Sequence, residues 1–448
     1  MREVFLVKYQ GRTALFAPLK GLIMEVGVDE EERIGTIINQ PRFSFEDLIK
    51  VFPEIEEGRL LSRKVDAQDA AGSDDEFHPD VAVLFTTFDC HLRCIYCYAN
   101  AGEQKLNMNR EIAETTIDFI VENARSKGRD VCSLNFHGGG EPTWNWQIFQ
   151  FALGYFQKKA QKNGLTPKVS LATNGILSKQ QIDWIAAHMQ AVQVSLDGTE
   201  EIQNLQRPTA SKRGSFAVVY NTVKSLLAKG IQVVIHSVVT EKGVSKIPEI
   251  VHFLASNFPN TTIHLEPACQ CGRGLTTGQR FPSSELFVSG FIEAEEVAKP
   301  FGVELFYSGA GPKLSEYHRA FCGVSTPNFV VTPTGLVTAC HEVAELKHPL
   351  AKYFVYGYLD GSSKRFVFDY HKIRNLRVYG AEIDPVCSEC FARFYCAGDC
   401  LAKNLNSRGE MSTALLNPRC TVNQGLTRHY IFNQLFGTRK EDEHARSS

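Results

Sequence analysis

Cys90, Cys94 and Cys97 stand in the order C-x3-C-x2-C, and seven further cysteines crowd the last third of the chain: Cys322, Cys340, Cys387, Cys390, Cys396, Cys400 and Cys420. Thiolates at such short intervals hold either zinc or iron–sulfur clusters. Zinc sites close on four ligands, usually as two C-x2-C pairs, and a lone triad fits that poorly. Against a four-iron cluster the triad is one ligand short. One iron is then left open for another group, and that open position is where chemistry is expected. Of the remaining cysteines, Cys132 lies in an apolar run and reads as core packing. Cys269 and Cys271 stand together in Pro267-Ala268-Cys269-Gln270-Cys271-Gly272-Arg273.

These thiols need elements to position them, and from residue 81 the chain supplies a rhythm. β-rich runs fall at Val81–Phe85, Cys132–Phe136, Val169–Ala172, Val192–Leu196, Val233–Val238 and Thr262–Leu265, with amphipathic helical stretches between them. Strands alternating with helices imply parallel βα units. The expected fold is α/β, a partial (β/α)6 TIM barrel smaller than the eight-unit form. A polar or glycine-rich motif follows each strand: Cys90 after the first, Gly138-Gly139-Gly140-Glu141-Pro142 after the second, Thr173-Asn174-Gly175 after the third and Asp197-Gly198 after the fourth. His236 and Ser237 close the fifth, and Glu266 ends the sixth. The carboxyl ends of such strands build active sites, so the candidate residues share one rim.

The 448 residues allow two or three domains. A formal net charge of -2 demands neither nucleic acid nor an anionic membrane as partner. No apolar run reaches the ~20 residues of a spanning helix. Thirteen cysteines behind an N-terminus without a signal-peptide pattern point to a reducing cytoplasm rather than a disulfide framework.

With Tyr96 before its last cysteine, the triad resembles the signature of the radical S-adenosylmethionine (SAM) enzymes, and the resemblance spans about residues 81–270. It implies a [4Fe-4S] cluster on Cys90, Cys94 and Cys97 whose open iron chelates SAM. It also implies reductive cleavage of SAM to a 5'-deoxyadenosyl radical that abstracts a substrate hydrogen. Gly139, Gly140, Glu141 and Pro142 resemble the family's GGEP segment, which meets the methionine amino group. Ser195 and Arg207 resemble the residues that hold the ribose and the carboxylate of SAM. Tyr96, Thr173, Asn174 and Asp197 join them as SAM-side candidates, Thr173 and Asn174 being equally suited to shaping the strand exit. Glu266 is open between a contact with ribose or substrate and a helix cap.

The seven C-terminal cysteines, with Gly335 between the first two, resemble the SPASM pattern of radical SAM peptide-modifying enzymes over about residues 318–425. A pair of structural zincs is the alternative. The resemblance implies two auxiliary [4Fe-4S] clusters, three clusters in all. Cys387, Cys390, Cys396 and Cys420 would hold auxiliary cluster II, and Cys322, Cys340 and Cys400 auxiliary cluster I. The second set lacks a ligand. Either its iron is open to a substrate thiolate, or Cys269 or Cys271 completes it, or those two are inert thiols. His341 stands where enzymes that mature anaerobic sulfatases carry an aspartate base. Its imidazole is a candidate base or a donor to cluster sulfurs. His341, Glu266 and Cys271 form the candidate catalytic set.

The expected segments are a small α+β module at 1–72, the barrel at 80–272, a bridging helical segment at 273–317, the SPASM domain at 318–425, and a C-terminal helix with polar tail at 426–448. Residues 70–76 read as a linker. The N-terminal module has the length and element order of the domain with which many peptide maturases of this family bind a leader by strand addition; a structural cap on the barrel is the alternative. The expected function is a cytoplasmic radical SAM/SPASM oxidoreductase that installs a thioether, carbon–carbon or carbon–oxygen crosslink in a ribosomally synthesised precursor peptide. Flavodoxin or ferredoxin is the expected electron donor, and no nucleic acid or membrane partner is expected. The alternatives are a peptide epimerase, a sulfatase-maturase-like side-chain dehydrogenase, or a non-enzymatic iron–sulfur electron carrier, in which the rim motifs would have no purpose.

Overall fold

The structure, a computed structural model, describes residues 2–56, 77–318, 320–326, 328–378, 385–408 and 417–446. The expected linker at 70–76 lies outside them. The chain forms two compact units. One comprises Met1–Ala70, Tyr307–Cys322 and Tyr379–Ser448; the other comprises Ala71–Phe306 and Gly323–Val378. The expected 318–425 segment is therefore shared between the two.

The first unit opens with β1 (Phe5–Tyr9), β2 (Arg12–Ala17) and β3 (Leu22–Val26), an antiparallel sheet. Gln10 and Gly11 both take positive φ, the geometry of the tight hairpin that matches strand twist. Side chains alternate across the sheet. Leu15, Ala17, Leu22 and Val26 pack on Ile34, Ile38 and Leu48 from the helices Val28–Ile38 and Phe45–Val51. Ser44 caps the second helix, its side chain accepting from the Asp47 N–H while Asp47 accepts from the Ser44 N–H. The opposite face meets the C-terminal segment: Phe5 lies edge-on to Phe394 at 6.3 Å, Phe16 stacks on Tyr395 at 6.3 Å, and Tyr9 packs on Phe432 at 5.5 Å.

In the second unit, β4 (Val81–Leu84), β5 (Val131–Phe136), β6 (Thr166–Thr173), β7 (Ala191–Ser195), β8 (Gln232–Val239) and β9 (Thr262–Pro267) pair successively in parallel, the six expected strands. β10 (Glu304–Phe306) adds a further parallel strand beside β9. β11 (Phe329–Val331) pairs in parallel with β4, and β12 (Leu336–Thr338), β13 (Val355–Asp360) and β14 (Arg365–Phe368) extend the sheet antiparallel. Period-2 burial explains the two faces of the parallel strands. On β5, Cys132, Leu134 and Phe136 are buried, with Phe136 4.6 Å from Phe149 of the helix Trp146–Lys162. The other face carries Ser133 and Asn135, and Asn135 accepts a 2.7 Å hydrogen bond from Ser170. Among the described residues no helix is long and apolar enough to cross a membrane.

Candidate functional site

The loop after β4 carries the cysteine triad. Cys90 is buried, and Cys94 and Cys97 pack with it, Leu92, Ala101 and Ile176 in one group. N–H donors surround the sulfurs. The Leu92 N–H and Asn174 Nδ2 each lie 3.4 Å from Cys90 Sγ, the Ala101 N–H lies 3.4 Å from Cys97 Sγ, and Arg207 Nη1 lies 3.9 Å from Cys94 Sγ. Such donors favour thiolate, whereas burial opposes it. Burial wins for the metal-free thiols, pushing Cys94 up to about 11 and Cys90 higher still, with the neighbouring thiols adding to the rise. Three crowded thiols with donors already in place fit a cationic cluster, whose irons supply the missing positive charge. Among the described residues no three His, Cys, Asp or Glu side chains gather closely enough for a single metal ion. A cluster takes its thiolates one per iron and so further apart.

Arg273, unremarked in the sequence, locks this loop. It is 9% exposed, and its Nη1 donates to the Cys94 carbonyl at 3.1 Å and its Nη2 to the Ala101 carbonyl at 2.8 Å. Its backbone N–H donates to the Cys97 carbonyl at 2.9 Å. The preceding Gly272, at φ 50°, presses so close that a Cβ would stand 2.3 Å from the Tyr98 carbonyl oxygen. The candidate Cys271 is thereby held beside the loop. Burial, with Cys97, Glu342, Cys340 and Cys271 around it, pushes the Tyr98 hydroxyl up.

The glycine run packs on the cysteine loop. A Cβ on Gly140 would lie 2.2 Å from the Asp89 carbonyl oxygen, and the Glu141 N–H donates to that oxygen at 2.8 Å. A Cβ on Gly139, at φ 138°, would lie 2.7 Å from the Phe85 ring and 2.8 Å from the Phe88 ring. The Glu141 carboxylate is buried and fully engaged. Oε1 accepts from the Thr143 N–H at 3.1 Å and from the Thr143 and Thr173 hydroxyls at 2.7 Å each, and Oε2 accepts from the Asn174 N–H at 2.7 Å. The Pro142 carbonyl accepts from Thr86 at 2.8 Å. Glu141 therefore ties the exits of β5 and β6 together, and Asn174 goes on to reach Cys90.

On the far side of the triad, Asp197 is fully buried. Its Oδ2 accepts from Tyr96 at 2.5 Å and from Gln206 at 2.7 Å, and its Oδ1 accepts from the Val238 N–H at 3.0 Å. Arg207 Nε stands 3.0 Å from Asp197 Oδ1 but is not aimed for a hydrogen bond, so the contact is an ion pair. The Arg207 cation lies 5.2 Å from the Tyr96 ring centroid. Half of its guanidinium is thus committed to the protein. Ser195 ends β7 opposite His236 in register, and His236 lies 4.8 Å from His264, whose Nε2 is 2.9 Å from Glu266 Oε1.

His341 lies tilted against His137 with ring centroids 4.5 Å apart, and edge-on to Phe85 at 5.8 Å. Burial pushes His137 down to about 4 and His341 to about 3. Among the described residues, His137 Nδ1 and His341 Nε2 have no hydrogen-bond partner and no access to solvent. His137 escaped the sequence reading. Its signal was its place two residues beyond Asn135, on the polar face of β5. A cavity of 290 Å³ nearby is lined by Phe88, Tyr98, Gly139, Glu342, Lys347 and His348.

Of the C-terminal cysteines, Cys340 belongs to the second unit and the other six to the first. Cys396 is buried in the field of Cys390 and Cys387, with burial as the main cause that pushes its thiol up. Gln424, one turn beyond Cys420 on the helix Pro418–Arg446, donates to Cys390 Sγ at 3.5 Å. The four cysteines expected for auxiliary cluster II therefore lie within one unit.

Residues 84–254 match the Radical SAM superfamily. Among curated proteins the chain is similar to a cysteine-type anaerobic sulfatase-maturating enzyme of Clostridium novyi, 29% identical over 37% of this chain and 45% of that one. It is also similar to the sporulation killing factor maturation protein SkfB of Bacillus subtilis, 22% identical over 57% of this chain and 59% of that one. The chain thus spans about half the length of the curated relatives it matches. Among solved structures the fold resembles native anSMEcpe with bound AdoMet and Cp18Cys peptide, at TM-score 0.62 and 18% identity, covering 81% of this chain and 100% of that one. It also resembles Streptococcus suis SuiB bound to precursor peptide SuiA, at TM-score 0.51 and 15% identity, covering 92% and 97%. The triad loop, the glycine run and strands β5 to β8 thus all fall within the radical SAM match at residues 84–254.

Proposed function

We propose that the chain is a radical SAM/SPASM peptide maturase, an oxidoreductase that removes hydrogen from a ribosomally made precursor peptide and closes a crosslink in it. The observation that carries this reading is the gathering of Cys90, Cys94 and Cys97 with Asn174 and Arg207 at the carboxyl rim of a parallel sheet. The likeness to SkfB, a maturation protein by name, and to a SuiB structure that contains a precursor peptide supports a peptide as substrate. When bound, a [4Fe-4S] cluster and SAM supply an electron and a 5'-deoxyadenosyl radical.

The chain's own residues do the rest. Cys90, Cys94 and Cys97 would hold the cluster, and the glycines at 139 and 140 let the rim press against the loop that carries them. Arg207 offers its remaining N–H groups to a carboxylate, and the buried rim excludes water from a reactive radical. Glu266, His341 and Cys271 are the candidates for contact with the peptide. Two auxiliary clusters on the C-terminal cysteines and a flavodoxin or ferredoxin as donor complete the proposal. The likeness to a sulfatase-maturating enzyme favours side-chain dehydrogenation as a second reading, against which stands His341 in place of the aspartate.

The test is anaerobic co-expression with each short open reading frame beside the gene, followed by intact mass. A peptide lighter by two hydrogens, with the loss abolished by Cys94→Ala, is the expected result. SAM cleavage without a mass change on any candidate points to epimerisation. No 5'-deoxyadenosine under reducing conditions overturns the reading.

A further inference from the structure

Asp399 sits between Cys396 and Cys400, and Arg419 directly precedes Cys420. Both side chains are 1% exposed, and they pair at 2.8 Å between Arg419 Nε and Asp399 Oδ1. The aspartate has no idle oxygen. Oδ1 also accepts from the Cys400 N–H at 2.5 Å, and Oδ2 accepts from Asn423 Nδ2 at 2.5 Å. Asn423 is fixed in turn by the Tyr307 hydroxyl at 2.8 Å, and Arg419 Nη2 donates to Ser308 Oγ at 2.9 Å. Tyr307 and Phe321 lie against the guanidinium at 5.2 and 5.6 Å.

The backbone held by this arrangement is unusual. Ala397, Gly398 and Asp399 take φ of 44°, 80° and 60°, a left-handed run in which two of three residues carry a Cβ. Such a run persists only where its surroundings over-determine it. Removing one partner of a buried ion pair leaves an uncompensated charge, whereas replacing both with apolar groups is often tolerated. The pair is therefore a weak device for stability and a strong one for geometry. What it joins is the turn bearing Cys396 and Cys400 to the first turn of the Cys420 helix.

We propose that Asp399, Arg419 and Asn423 form a buried clasp that sets the positions of Cys396, Cys400 and Cys420 together, so that the ligands of both auxiliary clusters depend on one ion pair. These are positioning residues, and the inference rests on the reading that the C-terminal cysteines hold iron. The clasp also sets charge. Without Asp399, Arg419 adds an unbalanced cation beside Cys396 and Cys420 of one cluster and Cys400 of the other, which raises the reduction potential of both.

The experiment uses the full chain with Cys90, Cys94 and Cys97 replaced by alanine, so that all remaining iron belongs to the C-terminal cysteines. In that background Asp399→Asn is expected to at least halve the iron per chain, and to shift any remaining auxiliary signal to a higher midpoint potential in a titration followed by electron paramagnetic resonance. The double variant Asp399→Asn/Arg419→Met removes both charges and leaves at 399 a residue that tolerates the left-handed region. It is expected to fold with native circular dichroism and still to lose iron, because the link from the Cys400 turn to the Cys420 helix is gone. Full iron and unchanged signals in either variant overturn the clasp. A parent that binds no iron overturns the cluster assignment itself and the clasp with it.

Discussion

Replacing Glu141 separates two roles for the carboxylate after the glycine run, a pin between rim loops or a ligand of SAM. In the structure its oxygens accept from the Thr143 N–H, the Thr143 and Thr173 hydroxyls and the Asn174 N–H. On Glu141→Ala the two hydroxyls can rotate toward other partners, whereas the two backbone N–H groups cannot. Each buried N–H left unpaired costs about 1–3 kcal/mol, so alanine should destabilise by about 2–6 kcal/mol. Glu141→Gln keeps the shape but brings one NH2 group. Oε1 serves three donors and must stay an oxygen, so the amide nitrogen faces the Asn174 N–H and one bond is lost, about 1–3 kcal/mol. The assay is urea unfolding of the cluster-loaded protein without oxygen, with SAM affinity measured alongside. Alanine should lower the midpoint more than glutamine. Affinity should fall in both, because Asn174 also donates to Cys90 Sγ. An alanine variant with the wild-type unfolding midpoint and no SAM binding would refute the reasoning and make the carboxylate a ligand.

Three further outcomes follow from the same geometry. Arg273→Met removes guanidinium bonds to the carbonyls of Cys94 and Ala101, each worth about 1.5–3 kcal/mol, and should speed loss of the first cluster to an iron chelator; an unchanged rate would show that the loop holds itself. Gly140→Ala drives a Cβ to 2.2 Å from the Asp89 carbonyl oxygen, backbone that cannot yield as a side chain can, so iron–sulfur absorbance per chain should collapse; normal absorbance would mean that the loop shifts freely. His137 is pushed from the usual 6.5 to about 4 by burial, so between those values the unfolded chain binds more protons. The stability that depends on its neutral form is full above about pH 6.5 and is lost as pH falls toward about 4, by up to about 3 kcal/mol. His137→Asn should flatten that slope, and equal slopes in variant and wild type would place the lost stability elsewhere.

The fold was legible where the chain's own periodicity carries it. All six parallel strands stand where the β-rich runs place them, because each run is buried on one face by a helix and ends in a polar motif. β10 was not legible. Its three residues, Glu304, Leu305 and Phe306, show no buried alternation, and only pairing with β9 makes them a strand. β11 is buried throughout, and what defines it is the parallel partner β4, nearly 250 residues earlier in the chain. The same division runs through the site. Cysteine spacing is readable because a cluster constrains ligands a few residues apart. What surrounds those cysteines is assembled across the chain: Thr173 reaches Glu141 from 32 residues away, Arg207 reaches Cys94 from 113, and Arg273 reaches it from 179. Asp399 and Arg419 sit between these extremes. Each adjoins a cysteine in the sequence, but 20 residues separate them. A charge beside a ligand reads as a surface group until the fold shows the opposite charge buried against it. The residues most open to a new functional reading are therefore the neighbours of the motif cysteines, whose types look incidental in the sequence and become constrained only when the loops close.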